Sequence, residues 1–166
     1  MPASVIVRPA AVEDVGALLG LIRDLAAYER EPDAVEADER LLASALFAGT
    51  PSVFAHVAED GAELVGMAIW FVNFSTWTGR NGIYLEDLFV RPAHRGRGIG
   101  RALLAELATI AGARGYARID WSVLVWNQSA IRFYQSLAAV PMDEWTGYRL
   151  SGEALAALGS TDHWQE

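Results

Sequence analysis

Residues 86 to 104 read EDLFVRPAHRGRGIGRALL. Two adjacent carboxylates, Glu86 and Asp87, open the stretch; an apolar run follows, then an arginine and glycine loop, then the first turns of a helix. The loop holds Gly96, Gly98 and Gly100 between a strand and a helix start, where unpaired backbone N–H groups and the helix dipole favour an anion. Arg91, Arg95, Arg97 and Arg101 add guanidinium groups, whose planar donors match phosphate oxygens. The ligand implied is a phosphate or pyrophosphate. A Rossmann fingerprint would need a third glycine where Arg101 stands, and a P-loop would need a lysine, which this chain lacks.

Working outward, apolar periodicity predicts a strand at Ser4–Pro9, a helix through Val12, Val15, Leu18, Leu19, Ile22 and Leu25, and a short helix in "DERLLASALFAG". "SVFAHVAE" and "AELVGMAIWFVNF" flank "DGA", which predicts an antiparallel hairpin over residues 52 to 74. "GIYLEDLFV" is the next strand, closed by Pro92, and Ile99, Leu103, Leu107 and Ile110 mark the helix after the glycine loop. A strand "ARIDWSVLV", a helix "NQSAIRFYQSL" and a last strand around "EWTGYRLS" complete the expected order. The fold class is therefore α/β, with a mixed, mainly antiparallel sheet flanked by helices, at least one β-α-β crossover, and a single domain over residues 1–166.

Composition narrows the chemistry. The chain of 166 residues contains no cysteine, which excludes disulfides, thiolate metal sites and a cysteine nucleophile and fits a reducing, cytoplasmic setting. All 13 basic residues are arginine, so Schiff-base chemistry through a lysine is excluded. A net charge of -8 suits a cationic partner better than nucleic acid. No apolar run approaches the length of a membrane span, and "MPASVIVRPA" lacks the pattern of a signal peptide. His56, His94 and His163 show no metal-ligand spacing, so no metal is expected, and no nucleophile elbow is present.

Two acids inside an apolar strand are costly if buried without a partner. Consecutive strand residues point to opposite faces, so Glu86 and Asp87 share a pocket only where a bulge intervenes. Asn127 reads as a helix N-cap, and Tyr134 as an aromatic of the core or its rim.

Arg95-x-x-Gly98-x-Gly100 after an apolar strand resembles the signature loop of the GNAT superfamily of acyl-CoA-dependent N-acyltransferases. "VIVRPA", "LAAYE", "IYLEDLFV", "RGRGIG", "WNQSAIRFY" and "YRL" are similar to the diamine acetyltransferase branch, the spermidine/spermine and thialysine enzymes. The resemblance implies a GNAT fold, acetyl-CoA as cosubstrate, and acetyl transfer to a primary amine of a small cationic, polyamine-like acceptor by direct attack in a ternary complex. It implies Glu86 as the base and Tyr134 as the acid that protonates the coenzyme A thiolate. Leu88, Phe89 and Val90 would pair with the pantetheine arm; Arg95, Gly96, Arg97, Gly98, Ile99, Gly100 and Arg101 would cradle the pyrophosphate. Asn127, Ser129, Ala130 and Tyr134 would line the coenzyme groove, and Tyr28, Glu29, Glu86, Asp87, Asp120 and Trp121 would border the acceptor. Trp77 and Trp126 are candidates for cation–π contact. A homodimer is expected on the same ground.

Two departures bear on the branch. Ala138 and Ala139 stand where a glycine is usual, so a turn needing positive φ would be strained. Thr146 and Tyr148 replace a carboxylate and a tryptophan common in polyamine enzymes, which leaves an amino acid such as thialysine, another amine, or a non-catalytic acyl-CoA sensor as alternatives.

Overall fold

The β-rich middle of the chain supplies the frame. In the computed structural model, which describes residues 5–160, β1 (Ile6–Pro9), β2 (Phe54–Asp60), β3 (Glu63–Ser75), β4 (Arg80–Val90) and β5 (Ile119–Asp120) form one sheet in that order. The first four strands are antiparallel, and β5 runs parallel to β4. The helices are α1 (Val15–Tyr28), α2 (Glu39–Phe47), α3 (Ile99–Ala113), α4 (Gln128–Gln135) and α5 (Gly152–Leu158), with 3-10 turns at Val12–Asp14 and Pro92–His94. Contacts divide the chain into two compact units, Met1–Ser122 and Val123–Glu166. Ser4 and His163 lie outside the described residues.

In the first unit the register assigns the two faces of the sheet. Val57, Met67 and Phe89 stand opposite one another across β2, β3 and β4 and pack with Leu18 and Leu21 of α1 and Leu46 of α2. The neighbouring row, Ala58, Gly66 and Val90, points the other way, toward Ile99 of α3. One face thus belongs to α1 and α2, and the other to α3. Leu103 and Leu107, one helical turn apart, are fully buried on the inner side of α3.

Local chemistry sets the element ends. Asp38 caps α2 through a 2.7 Å bond from the Leu41 N–H. Arg8 on β1 bridges Asp14 and Glu59, tying the entry of α1 to the sheet. Gly61 takes a positive φ in the tight β2–β3 turn, as the "DGA" reading requires.

Two strand expectations need correction. The strand predicted over "ARIDWSVLV" shrinks to Ile119–Asp120, paired with Ile83 and Tyr84 alone. The reason lies in β4, which carries a bulge just beyond Tyr84; bulges bend a strand and end its pairing. The last strand around "EWTGYRLS" does not form, and α5, which periodicity missed, follows it instead. Residues 141–160 are exposed throughout.

The second unit is described by itself. The Asn127 side chain accepts from the Ala130 N–H at 3.2 Å and caps α4. At the other end Ala138 adopts φ 61°, with Ala139 N–H bonded to the Tyr134 carbonyl and Ala138 N–H to that of Gln135. This is the Schellman arrangement, with alanine at the position that favours glycine. The strain expected at "QSLAAVP" is present.

Candidate active site

The centre of the site is an irregularity in β4. Ile69 pairs with Asp87 while Trp70 pairs with Leu85, so Glu86 is an extra residue with no partner of its own on β3. The bulge cancels the strict alternation that would otherwise send Glu86 and Asp87 to opposite faces. Asp87 shares the α1 face with Ile69, half-buried, and Glu86 stands exposed beside it.

A third acid comes from α1. Burial raises the Asp87 pKa to about 6, with further upward pushes from Glu86 and from Glu29. Desolvation also raises the Glu29 pKa. Glu29 is held at the helix end by a Schellman turn in which Arg30 takes φ 69° and the Glu31 N–H bonds the Ala26 carbonyl. Glu29, Glu86 and Asp87 are therefore within electrostatic reach, and no hydrogen bond or cation among the described residues lowers the pKa of Asp87. Such an arrangement attracts a cation and holds a proton acceptor poised near neutral pH. Among the described residues no group of three or more acids or histidines is placed to hold a metal ion.

From the bulge to Pro92, β4 offers an open edge. Its pairing with β5 ends at Tyr84, and none of the described strands pairs with the outer edge of Leu88, Phe89 and Val90. An extended, amide-bearing chain can add there as a strand. The glycine loop follows at once. Gly96 and Gly98 have φ 76° and 81°, which L-residues rarely adopt, and Gly98 is the N-cap of α3. Among the described residues no atom beyond the chain neighbours lies within 4 Å of where a Cβ would stand on either, so the loop backbone is open to a bulky anion at a helix N-terminus.

The arginines of this loop are less available than their number suggests. Arg97 pairs with Asp60 at 2.6 Å, and Arg91 binds both Asp24 and Glu63. Arg95 donates from Nε to the Val90 carbonyl at 2.8 Å, and its guanidinium lies 4.4 Å over the Tyr28 ring and 5.6 Å over Phe89. Arg101 has no ion pair among the described residues. Backbone N–H groups at the helix start and the Arg101 side chain are thus what the loop leaves for an anion, while Arg95 ties the loop to Tyr28.

Asp120 lies beside Tyr84, and its Oδ2 accepts from Arg118 Nε at 2.7 Å and from Asn73 Nδ2 at 3.1 Å. Trp121 is half-buried next to it in sequence, and Trp77 is exposed at the hairpin tip. Asn127, Ser129, Ala130, Tyr134 and Trp126 belong to the second unit, where the Tyr134 ring is 5.3 Å from that of Phe133. Sequence reading missed Phe71, Asn73, Tyr84, Arg118 and Ser122. Register sets Phe71 beside Tyr84, and side-chain bonds bring Asn73 and Arg118 to Asp120 and Ser122 to Tyr84, so no local motif marks them.

The acid bulge, the open strand edge and the glycine loop capping α3 follow one another along the chain. Residues 18–138 match the Acetyltransferase (GNAT) family, and the chain belongs to that family of acetyltransferase enzymes. It is 38% identical over 94% of its length to the thialysine N-epsilon-acetyltransferase of Sus scrofa, covering 98% of that protein. It is 32% identical over 87% of its length to a spermidine/spermine N(1)-acetyltransferase-like protein of Homo sapiens, spanning 22% of it. Among solved structures, an integron cassette protein from the mobile metagenome of V. cholerae matches with a TM-score of 0.79 at 31% identity, covering 93% of this chain and 97% of that one.

Proposed function

We propose that this enzyme transfers the acetyl group of acetyl-CoA to a primary amine of a small cationic acceptor, polyamine-like or a diamino acid, by direct attack in a ternary complex. The observation that carries the reading is the half-buried Asp87, raised to about 6, beside Glu86 and Glu29 at the start of an open strand edge. An alkyl ammonium has a pKa of about 10 and cannot attack until it loses a proton. The acids hold that ammonium, and Glu86 takes its proton through water.

Acetyl-CoA supplies the acetyl group as a thioester. Backbone groups of Leu88, Phe89 and Val90 hold its arm, and the loop from Arg95 to Arg101 holds its pyrophosphate, with Asn127, Ser129 and Ala130 lining the groove. The Tyr134 phenol gives its proton to the departing thiolate. Tyr28, Glu29, Asp87, Asp120 and Trp121 border the acceptor. The thialysine relative and the spermidine/spermine-like relative support an amine acceptor of this size.

A homodimer in the cytoplasm belongs to the same reading. Val140, Met142, Trp145, Tyr148 and Leu150 are exposed in a segment whose residues favour a strand, and a second copy would cover them. No helix among the described residues is long and apolar enough to cross a membrane.

The test is thiol release from acetyl-CoA with spermidine, spermine, putrescine, thialysine, lysine and an aminoglycoside. Glu86→Gln and Tyr134→Phe each lower turnover about 10²-fold or more, with acetyl-CoA binding retained. Unchanged turnover in both variants would remove these roles. Tight acetyl-CoA binding without thiol release for any amine would point to a sensor, and a monomeric mass by light scattering would overturn the dimer.

A further inference from the structure

Beyond Asp87, the α1 face of the sheet continues toward the tip of the β3–β4 hairpin as a polar and aromatic row. Register sets Phe71, Tyr84 and Asp120 side by side across β3, β4 and β5. The rings of Phe71 and Tyr84 stack at 5.1 Å, and the Tyr84 hydroxyl lies 3.0 Å from Ser122 Oγ. Asp120 and Arg118 sit at the end of this row.

An exposed ion pair on a strand edge is common and contributes little by itself. This one is held in place. Asn73 donates to the same Asp120 oxygen as Arg118, and its own Oδ1 is buried without a partner among the described residues. That oxygen lies over Gly82, where a Cβ would stand 2.6 Å away, so only glycine lets the amide sit there. Arg118 meanwhile uses Nε alone; its two terminal nitrogens make no hydrogen bond among the described residues, and its side chain is 47% exposed. The pair presents a guanidinium edge next to a carboxylate with one oxygen, Oδ1, uncommitted.

That pattern complements one end group. A carboxylate fits the free guanidinium nitrogens, and an ammonium beside it fits Asp120 Oδ1. A plain ammonium meets an acid already neutralised by Arg118. From Phe71 to Ile69, the partner of Asp87, is two strand steps, about 7 Å. A lysine-length side chain sets its terminal amine about 6 Å from Cα at ordinary bond lengths. Asp120, which holds the Arg118 guanidinium, lies one strand further across, about 5 Å, so an amine at Asp87 leaves the head group of such a molecule at the Asp120–Arg118 pair.

We infer that Arg118, clamped by Asp120 and Asn73, is a specificity-determining residue that reads the far end of the acceptor and selects a diamino acid over a plain diamine. The inference rests on the reading of Glu86 and Asp87 as the amine end.

The experiment compares kcat/KM for three acceptors of one length: thialysine, its carboxamide, and the diamine that loss of its carboxylate leaves. The wild-type enzyme favours thialysine at least tenfold over either. Arg118→Gln collapses that ratio at least tenfold, chiefly through KM, and Arg118→Lys restores part of it. Equal use of the three acceptors by the wild type, or an unchanged ratio in Arg118→Gln, overturns the inference while leaving acetyl transfer intact. The wild-type series alone decides the matter if the variants do not fold. Thiol release with none of the three and none of the polyamines would instead remove the amine-end reading and this inference with it.

Discussion

Two titratable groups lie on opposite faces of the same sheet and have opposite surroundings. On the α3 face, His56 is buried and its Nδ1 accepts the indole N–H of Trp70 at 3.2 Å. Phe54 stacks on Trp70 at 4.6 Å, and the Arg114 guanidinium covers both rings within 6 Å. On the α1 face, Asp87 has two acids for neighbours, and its pKa moves up accordingly. A polar group kept for packing is supplied with a partner, whereas one kept for chemistry is left wanting one. On the proposed function, the difference separates the structural half of the sheet from its working half.

Removing the keystone of the satisfied face has the largest effect. Trp70→Ala costs about 3–5 kcal/mol in denaturant unfolding, because it empties a site where Trp70 is 1% exposed and leaves His56 unpaired. Loss of less than about 1 kcal/mol would mean the α3 face is loosely packed.

Asp87→Asn tests the other face with opposite signs in two assays. A carboxyl group with a raised folded-state pKa binds its proton more tightly when folded, so the destabilisation from Asp87 grows as pH rises from about 4 and is complete above about pH 6. The variant gains about 1–2 kcal/mol at pH 7, the gain fades toward pH 4, and kcat/KM for the amine falls about 10-fold or more. A variant both less stable and fully active would make Asp87 a packing residue.

His56 supplies a smaller, pH-dependent effect. Burial lowers its pKa, with Glu106 opposing and Arg114 reinforcing the shift. The stability that neutral His56 contributes is present above the unfolded value of about 6.5 and is lost as pH falls through the lowered folded value. His56→Gln keeps an acceptor for Trp70 but cannot titrate, so the stability advantage of the wild type over the variant shrinks as pH falls below about 6.5. An advantage constant with pH would show that His56 does not titrate with unfolding.

The smallest change belongs to the second unit. Ala138→Gly relieves φ 61° at the end of α4 and raises stability by about 0.5–1 kcal/mol, read as a shift in denaturant midpoint. A decrease would mean the turn relaxes in solution.

Much of this was legible from residue order. The 3.6-residue spacing of α1 and α3, the turn at Gly61 and the strand-loop-helix run from Leu88 to Ile99 depend on local chemistry, so periodicity and glycine placement found them. The strain at Ala138 was legible for the same reason. The segment from Glu144 to Leu150 misled because its aromatic and branched residues favour a strand, while strand formation needs a neighbour that composition does not record. The bulge at Glu86 has no glycine or proline to mark it, and Arg118 acquires meaning only through its register with Tyr84 and Asn73.

The single extra residue in β4 also governs how this enzyme tolerates change. Substituting Glu86 alters one side chain, and deleting it would remove the bulge while leaving Leu85 opposite Trp70, Asp87 opposite Ile69 and Phe89 opposite Met67 in the α1 core. Loss of a paired neighbour such as Leu88 would instead slip the register and turn later side chains to the other face. A change of length is thus absorbed at one position of the strand and felt across the sheet at the positions beside it.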